Sequence, residues 1–158
     1  MKARMPGLRI IGLDCVPERL KKLDPTAYQG SIQSFSHDVP LPSGSFDAIV
    51  AGEFIEHVPP PYILPTLWEF FRLLRLNGRL LLTTPNPHYL KNRVLGLSVL
   101  LDPSHLSQHT PTSLRRRLED VGFSTIRIYG NGRVSQFLGP HVPVRCLYGS
   151  YLSVARKW

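Results

Sequence analysis

The sequence predicts an α/β fold, a mostly parallel sheet covered by helices on both faces with an antiparallel hairpin at its C-terminal edge. Short apolar runs rich in β-branched residues recur along the chain, and segments with a 3.6-residue apolar period separate them. The last two runs read as consecutive strands. At 158 residues, with 42% hydrophobic and 19% charged positions, the chain can bury one ordinary core, so a single domain over residues 1–158 is expected.

Leu8–Leu13 (LRIIGL) reads as a buried strand with Asp14 at its carboxyl end. A helix begins at Pro17, which suits a first helical position; Leu20 and Leu23 share one face before Asp24 and Pro25 stop it. Tyr28–Phe35 is a weaker strand, and the turn-rich Val39–Ser45 delivers the next one, Phe46–Ala51 (FDAIVA). After a polar loop, Gly52–Pro61, the residues Ile63, Leu64, Leu67, Phe70, Phe71 and Leu74 define an amphipathic helix over Pro60–Leu76. Asn77 and Gly78 supply its left-handed stop. Arg79–Thr84 (RLLLTT) is a buried strand ended by Pro85 and Pro87. Tyr89–Leu101 is mostly apolar and is placed to cover a substrate pocket. Thr110 and Pro111 form the N-cap and first position of a helix with Leu114, Leu118 and Val121 on one face, closed by Gly122. Phe123–Tyr129 and Leu147–Ala155 are the hairpin strands. In such sheets ligands gather at the carboxyl ends of the strands.

Composition narrows the partners. No run approaches the roughly 18 apolar residues of a membrane span, and Met1–Arg9 is basic without the apolar core of a secretory signal, so a cytoplasmic location is expected. Cys15 and Cys146 are far apart in sequence, which gives a disulfide framework or zinc site little support. The net charge of +8 suits an anionic partner such as RNA, a phosphorylated substrate or a membrane surface. The basic residues are nevertheless dispersed and lack the interleaved aromatics of a single-strand platform.

Four segments in order, Pro6–Leu20, Leu41–Val58, Leu74–Pro87 and Ser104–Phe123 with its following strand, resemble the class I S-adenosylmethionine-dependent methyltransferases of the type 11/23-like group. The resemblance implies a Rossmann-like methyltransferase sheet whose strands run in the order 3-2-1-4-5-7-6. It assigns Asp14 to the ribose hydroxyls of the cofactor, with Cys15 and Gly52 beside it. A carboxylate suits that role because it accepts two hydroxyl hydrogen bonds at once; the alternative is that Asp14 only starts the turn into the next helix. The acidic residue that contacts adenine in the family has no clear counterpart: Phe35 falls near its position, as a base-stacking ring or a core residue, while Asp38 is too close to the following loop. The first strand and its G-x-G-x-G loop would precede Met1, so the sheet is expected to lack its first strand. A missing N-terminal segment or a second chain would complete it. A fragment of a longer enzyme and a short protein with lost or changed activity both fit.

The loop after Phe46–Ala51 carries Glu53, Glu56 and His57 in the pattern E-x-x-E-H. Residues three and four apart share a face of a helical turn, and two carboxylates with an imidazole suit Mg²⁺ or Mn²⁺. The pattern, followed by Thr84-Pro85-Asn86 and a later histidine, is similar to that of ubiquinone-biosynthesis O-methyltransferases and small-RNA 3′-end 2′-O-methyltransferases. By position His105 matches the distal histidine of the RNA enzymes, with His109 and His88 as alternatives. Two readings without metal stand beside this one: a solvated helix start favoured by the helix dipole, and His57 alone as general base. The resemblance therefore implies S-adenosylmethionine-dependent transfer of methyl to a hydroxyl oxygen of a small-molecule, quinol or sugar-type substrate. RNA 2′-O-methylation and a non-catalytic binding module are the alternatives.

Overall fold

A computed structural model describes residues 7–141 and 145–158. The chain divides into two units, Met1–Pro40 and Leu41–Trp158.

In the first unit, β1 (Ile11–Asp14), the single helical turn α1 (Pro17–Leu20) and β2 (Gly30–Gln33) form a minimal crossover. β1 and β2 pair in parallel from Ile11 opposite Gly30 to Asp14 opposite Gln33. α1 is shorter than its apolar spacing suggests, because the chain turns back at Asp24, whose carbonyl accepts from Ala27 N and Tyr28 N at 3.0 Å each. Leu23 folds onto the strand at Gly12, where an added Cβ would lie 2.3 Å from its Cδ1.

The second unit holds β3 (Phe46–Ala51), α2 (Ile63–Leu73), β4 (Leu74–Pro85), α3 (Leu90–Val94), α4 (Pro111–Val121), β5 (Ser124–Asn131), α5 (Arg133–Leu138) and β6 (Ser150–Arg156). Its sheet runs β3-β4-β6-β5. β3 and β4 are parallel, whereas β6 is antiparallel to both β4 and β5. The chain's last strand thus inserts between its predecessors and leaves β5 at the edge, as the 4-5-7-6 half of the expected order requires. Among the described residues nothing corresponds to strand 1: β1 and β2 form a sheet of their own, and β3 is paired on one side only. Val50 on β3 is 61% exposed.

α2 buries Ile63, Leu67, Phe70 and Leu73, and α4 buries Leu114, Leu118 and Val121. Both faces pack into one core with Leu80 and Leu82 of β4, Ile126 of β5 and Ala155 of β6. α4 starts and stops where the sequence places it. Thr110 and Ser113 form a reciprocal capping box, and Gly122 closes the helix at φ 105°. α2 instead ends three residues before the expected Leu76. Leu74 is fully buried and extended, already pairing with Phe46, and the register then jumps so that Ala48 faces Arg79. The left-handed Asn77 (φ 66°) turns the resulting bulge and is not a helix cap.

The segment after β4 forms α3 and a 3₁₀ turn at Val99–Leu101, where Val99 is buried. α5, in the β5–β6 connection, has no counterpart in the sequence reading. No helix among the described residues is long and apolar enough to cross a membrane.

Candidate functional site

β3 and β4 are parallel, so the loops that follow them leave the sheet at the same edge. After β3, Glu53 takes a left-handed backbone (φ 45°), and its amide donates to Thr83 Oγ1 at 2.9 Å. The chain then makes a 3₁₀ turn, Ile55–His57. Ile55 anchors this turn in the core, and Phe54 packs against Phe70 with ring centroids 5.9 Å apart. The anchor carries Glu56 inward. Its side chain is fully buried and neither carboxylate oxygen has a hydrogen-bond partner among the described residues. The hydroxyl of Thr84 acts on the carboxylate but stands outside hydrogen-bond geometry. Burial raises the Glu56 pKa above its usual 4.5, and the charge of Glu53 adds to the rise. The residue's own backbone amide, Thr84 and His57 oppose it through their proximity.

Two imidazoles meet this carboxylate. Leu106 N and Ser107 N donate to the Glu56 carbonyl at 2.7 and 3.2 Å, which brings the 102–109 loop over the turn. His57 Nδ1 lies 2.9 Å from Ser104 O, and His105 Nδ1 lies 2.7 Å from Val99 O. A carbonyl has no proton to give, so each Nδ1 carries the hydrogen and each Nε2, that of His105 lying 3.9 Å from Asp102 Oδ2, is the ring position left open. This is how histidines are held when the other nitrogen binds a cation. The two rings stand 4.8 Å apart. One ligand atom each from Glu56, His57 and His105 falls within a mutual 4.8 Å. An orphaned buried carboxylate facing two oriented imidazoles fits a divalent cation.

The other sequence candidates do not join this group. Glu53 lies outside it, because its left-handed backbone and the bond to Thr83 turn the chain before the 3₁₀ turn begins. His109 is 1% exposed and packs between Ser107 Oγ at 2.9 Å and Arg117 Nη1 at 3.0 Å. Burial, followed by the Arg117 charge, lowers its pKa to about 4 and keeps it neutral. His88 is exposed.

In the first unit Asp14 ends β1. One of its oxygens accepts from Val16 N at 2.9 Å, and the other lies 3.7 Å from Arg19 Nη1. The carboxylate therefore retains acceptor capacity for a diol and also begins the turn, so both roles foreseen for it are compatible. Cys15 is an exposed free thiol. Phe35 is 63% exposed and stacks on His37, which removes the core reading of that ring. Gly52 follows β3 next to Thr83, where an added Cβ would lie 3.7 Å from Oγ1.

Asn86, the last residue of the Thr84-Pro85-Asn86 motif, has a structural part that the motif does not signal. It is fully buried directly after β4, and its Nδ2 donates to Arg145 O at 3.0 Å and Tyr148 O at 2.7 Å. Partners so distant in sequence leave no local signal.

An acidic residue at the end of β1, together with the strand order of the second unit, defines the chain as a Rossmann-like α/β protein of the class I methyltransferase kind. A family model described as "Methyltransferase domain" matches residues 2–128, and the chain belongs to that family of S-adenosylmethionine-dependent methyltransferases. No curated protein matches it in sequence. Among solved structures it is similar to a SAM-dependent methyltransferase from Archaeoglobus fulgidus, with 19% identity and a TM-score of 0.75 over 98% of this chain and 79% of the other. A SAM-dependent methyltransferase from Thermotoga maritima gives 14% identity and a TM-score of 0.72 over 94% and 72%. PigF with SAH gives 16% identity and 0.65 over 99% and 45%. At these identities the likeness shows the fold.

Proposed function

We propose that the chain is an O-directed methyltransferase domain in which Glu56, His57 and His105 hold a divalent cation, Mg²⁺ or Mn²⁺, against the acceptor hydroxyl of a small-molecule, quinol or sugar-type substrate. In this reading both units form one domain. Asp14, with Cys15 and Gly52 nearby in role, holds the cofactor. The carrying observation is the Glu56 carboxylate, fully buried with neither oxygen bonded and paired with two imidazoles within 4.8 Å. Burying an unpartnered carboxylate is costly, and a cation offsets the cost.

When bound, S-adenosylmethionine supplies an electrophilic sulfonium methyl, and a divalent cation supplies Lewis acidity to the acceptor oxygen. The chain's own residues do the rest. Glu56 contributes negative charge at a fixed point, and the Nδ1 bonds of His57 and His105 fix where their lone pairs aim. His57 is exposed and its Nε2 is the ring position left open, so without a cation it is the group placed to take the hydroxyl proton. The β3 edge, unpaired among the described residues, and its exposed Val50 support completion of the sheet by a further strand, from a longer chain or a second one.

RNA 2′-O-methylation is the second reading. It is favoured by the net charge of +8 and by the presence of His105 in the group.

The test is thermal. At a hundred times its dissociation constant Mn²⁺ should stabilise the protein by about 2.7 kcal/mol, which raises the melting temperature by roughly 5–10 °C. Glu56→Gln keeps the shape and should abolish the gain. An equal gain in wild type and variant sinks the cation site.

A further inference from the structure

The second unit contains a cavity of about 280 Å³ between the start of α4, the end of β5 and the residues Pro140, His141, Arg145, Tyr148 and Tyr151. Two arginines, Arg115 and Arg145, and three tyrosines, Tyr129, Tyr148 and Tyr151, line it with His141, and no carboxylate does. A lining with two full positive charges and no acid is electrostatically incomplete. Neither arginine has a carboxylate partner among the described residues. Arg115 Nη1 donates to Ile126 O at 2.9 Å, which fixes the guanidinium while leaving most of its five donors unused.

The walls are built and do not depend on surface side chains alone. Tyr148 is 1% exposed and lies flat on β5 at Gly130, where a Cβ would come within 2.3 Å of its ring. Its hydroxyl donates to Gly139 O at 3.0 Å, while Gly130 N donates to Pro140 O at 3.1 Å. Asn86 ties the Arg145 and Tyr148 carbonyls to the carboxyl end of β4. β5 is antiparallel to β6, as β4 is, so β4 and β5 run the same way and the cavity lies toward the edge that also carries Glu56.

We propose that this cavity is an oxyanion subsite, in which Arg115 and Arg145 bind a phosphate or carboxylate group of the methyl acceptor. The binding of the oxyanion stands on the cavity itself; its assignment to the acceptor rests on the methyl-transfer reading above. The flat rings of Tyr129 and His141, packed edge to face with centroids 5.1 Å apart, suit a small ligand that carries the anion on an unsaturated body.

Inorganic phosphate and benzoate, titrated separately by calorimetry or NMR, test the subsite. Saturable binding by the wild-type chain is expected. Arg145→Gln, on an exposed residue, should weaken it roughly tenfold or more, the size of a lost charge-assisted contact. Arg115→Gln should do the same. Arg79→Gln removes an equal charge from the middle of β4, outside the cavity lining, and should change nothing. Preference for phosphate identifies a phosphorylated acceptor, and preference for benzoate a carboxylated one. No saturable binding of either probe, or equal weakening by Arg79→Gln and Arg145→Gln, overturns the subsite. Since none of these titrations contains metal or cofactor, failure of the cation site leaves their outcome unchanged. If the subsite fails, the Mn²⁺ response still reports on Glu56.

Discussion

Replacing His109 by glutamine should flatten the acid limb of the stability profile. The imidazole is almost wholly enclosed, and burial and the neighbouring Arg117 lower its pKa from 6.5 to about 4. Between these values the unfolded chain binds a proton that the folded chain refuses, so stability falls as pH falls through that window. The gap is worth about 3 kcal/mol in full below pH 4, and about 2 kcal/mol of it is lost by pH 5. Glu56 acts with the opposite sign. Its folded pKa lies above 4.5, so the stability tied to its proton is present at low pH and lost as pH rises through the folded value. That contribution is common to both proteins and cancels in the comparison. Urea unfolding of wild type and His109→Gln at about pH 7.5 and about pH 5 measures the difference. The wild type should lose about 2 kcal/mol more than the variant between the two conditions. Equal losses would refute a buried neutral imidazole at this position, whatever the absolute stability of the variant.

Gly130→Ala places a methyl in the Tyr148 ring, at a cost of about 1–3 kcal/mol by urea unfolding. Tyr148→Ala in the same chain should recover part of the loss, and strict additivity would mean that the two residues do not meet. Asn86→Ala removes the bonds to the Arg145 and Tyr148 carbonyls and to His88 N, and should cost about 1–3 kcal/mol. It should also weaken phosphate binding while sparing the Mn²⁺ response; loss of both would show that Asn86 supports the whole edge.

What the sequence disclosed followed the range of the interaction that fixed it. The bounds of α4 were legible, because Thr110, Pro111 and Gly122 are local signals that act within one turn; the part of Ser113 in the capping box was not read. The end of α2 was not, because Leu74 is captured by β3 pairing, a tertiary event that overrides the helical period. Glu56 and His57 were legible as a short motif. Helical spacing also included Glu53, yet the chain is left-handed there and enters a 3₁₀ turn, so the assumed shared face does not form. His105 came only from the family resemblance: it reaches the turn through amides bonded to the Glu56 carbonyl. The cavity was illegible, since Asn86 meets its carbonyl partners across 59 and 62 residues.

Those bonds also decide what substitutions at this edge can report. The loop bearing His105 is held by the backbone carbonyl of Glu56, whereas the turn bearing Arg145 is held by the side chain of Asn86. A change to the Glu56 side chain therefore leaves the first attachment in place, and glutamine also keeps the volume of the buried group. What Glu56→Gln removes is negative charge, the one property a cation needs and a neutral packing role does not. Loss of the metal response in that variant would consequently be an electrostatic result. At Asn86 architecture and side chain are the same object, so its removal tests the scaffold of the oxyanion cavity. Arg145→Gln tests the charge itself. Glu56 and His57 on the β3 exit with His105 on the loop held to it, and Arg145 on a turn tied to the β4 exit with Arg115 on α4, make the two proposed affinities, for a cation and for an oxyanion, separable by substitution.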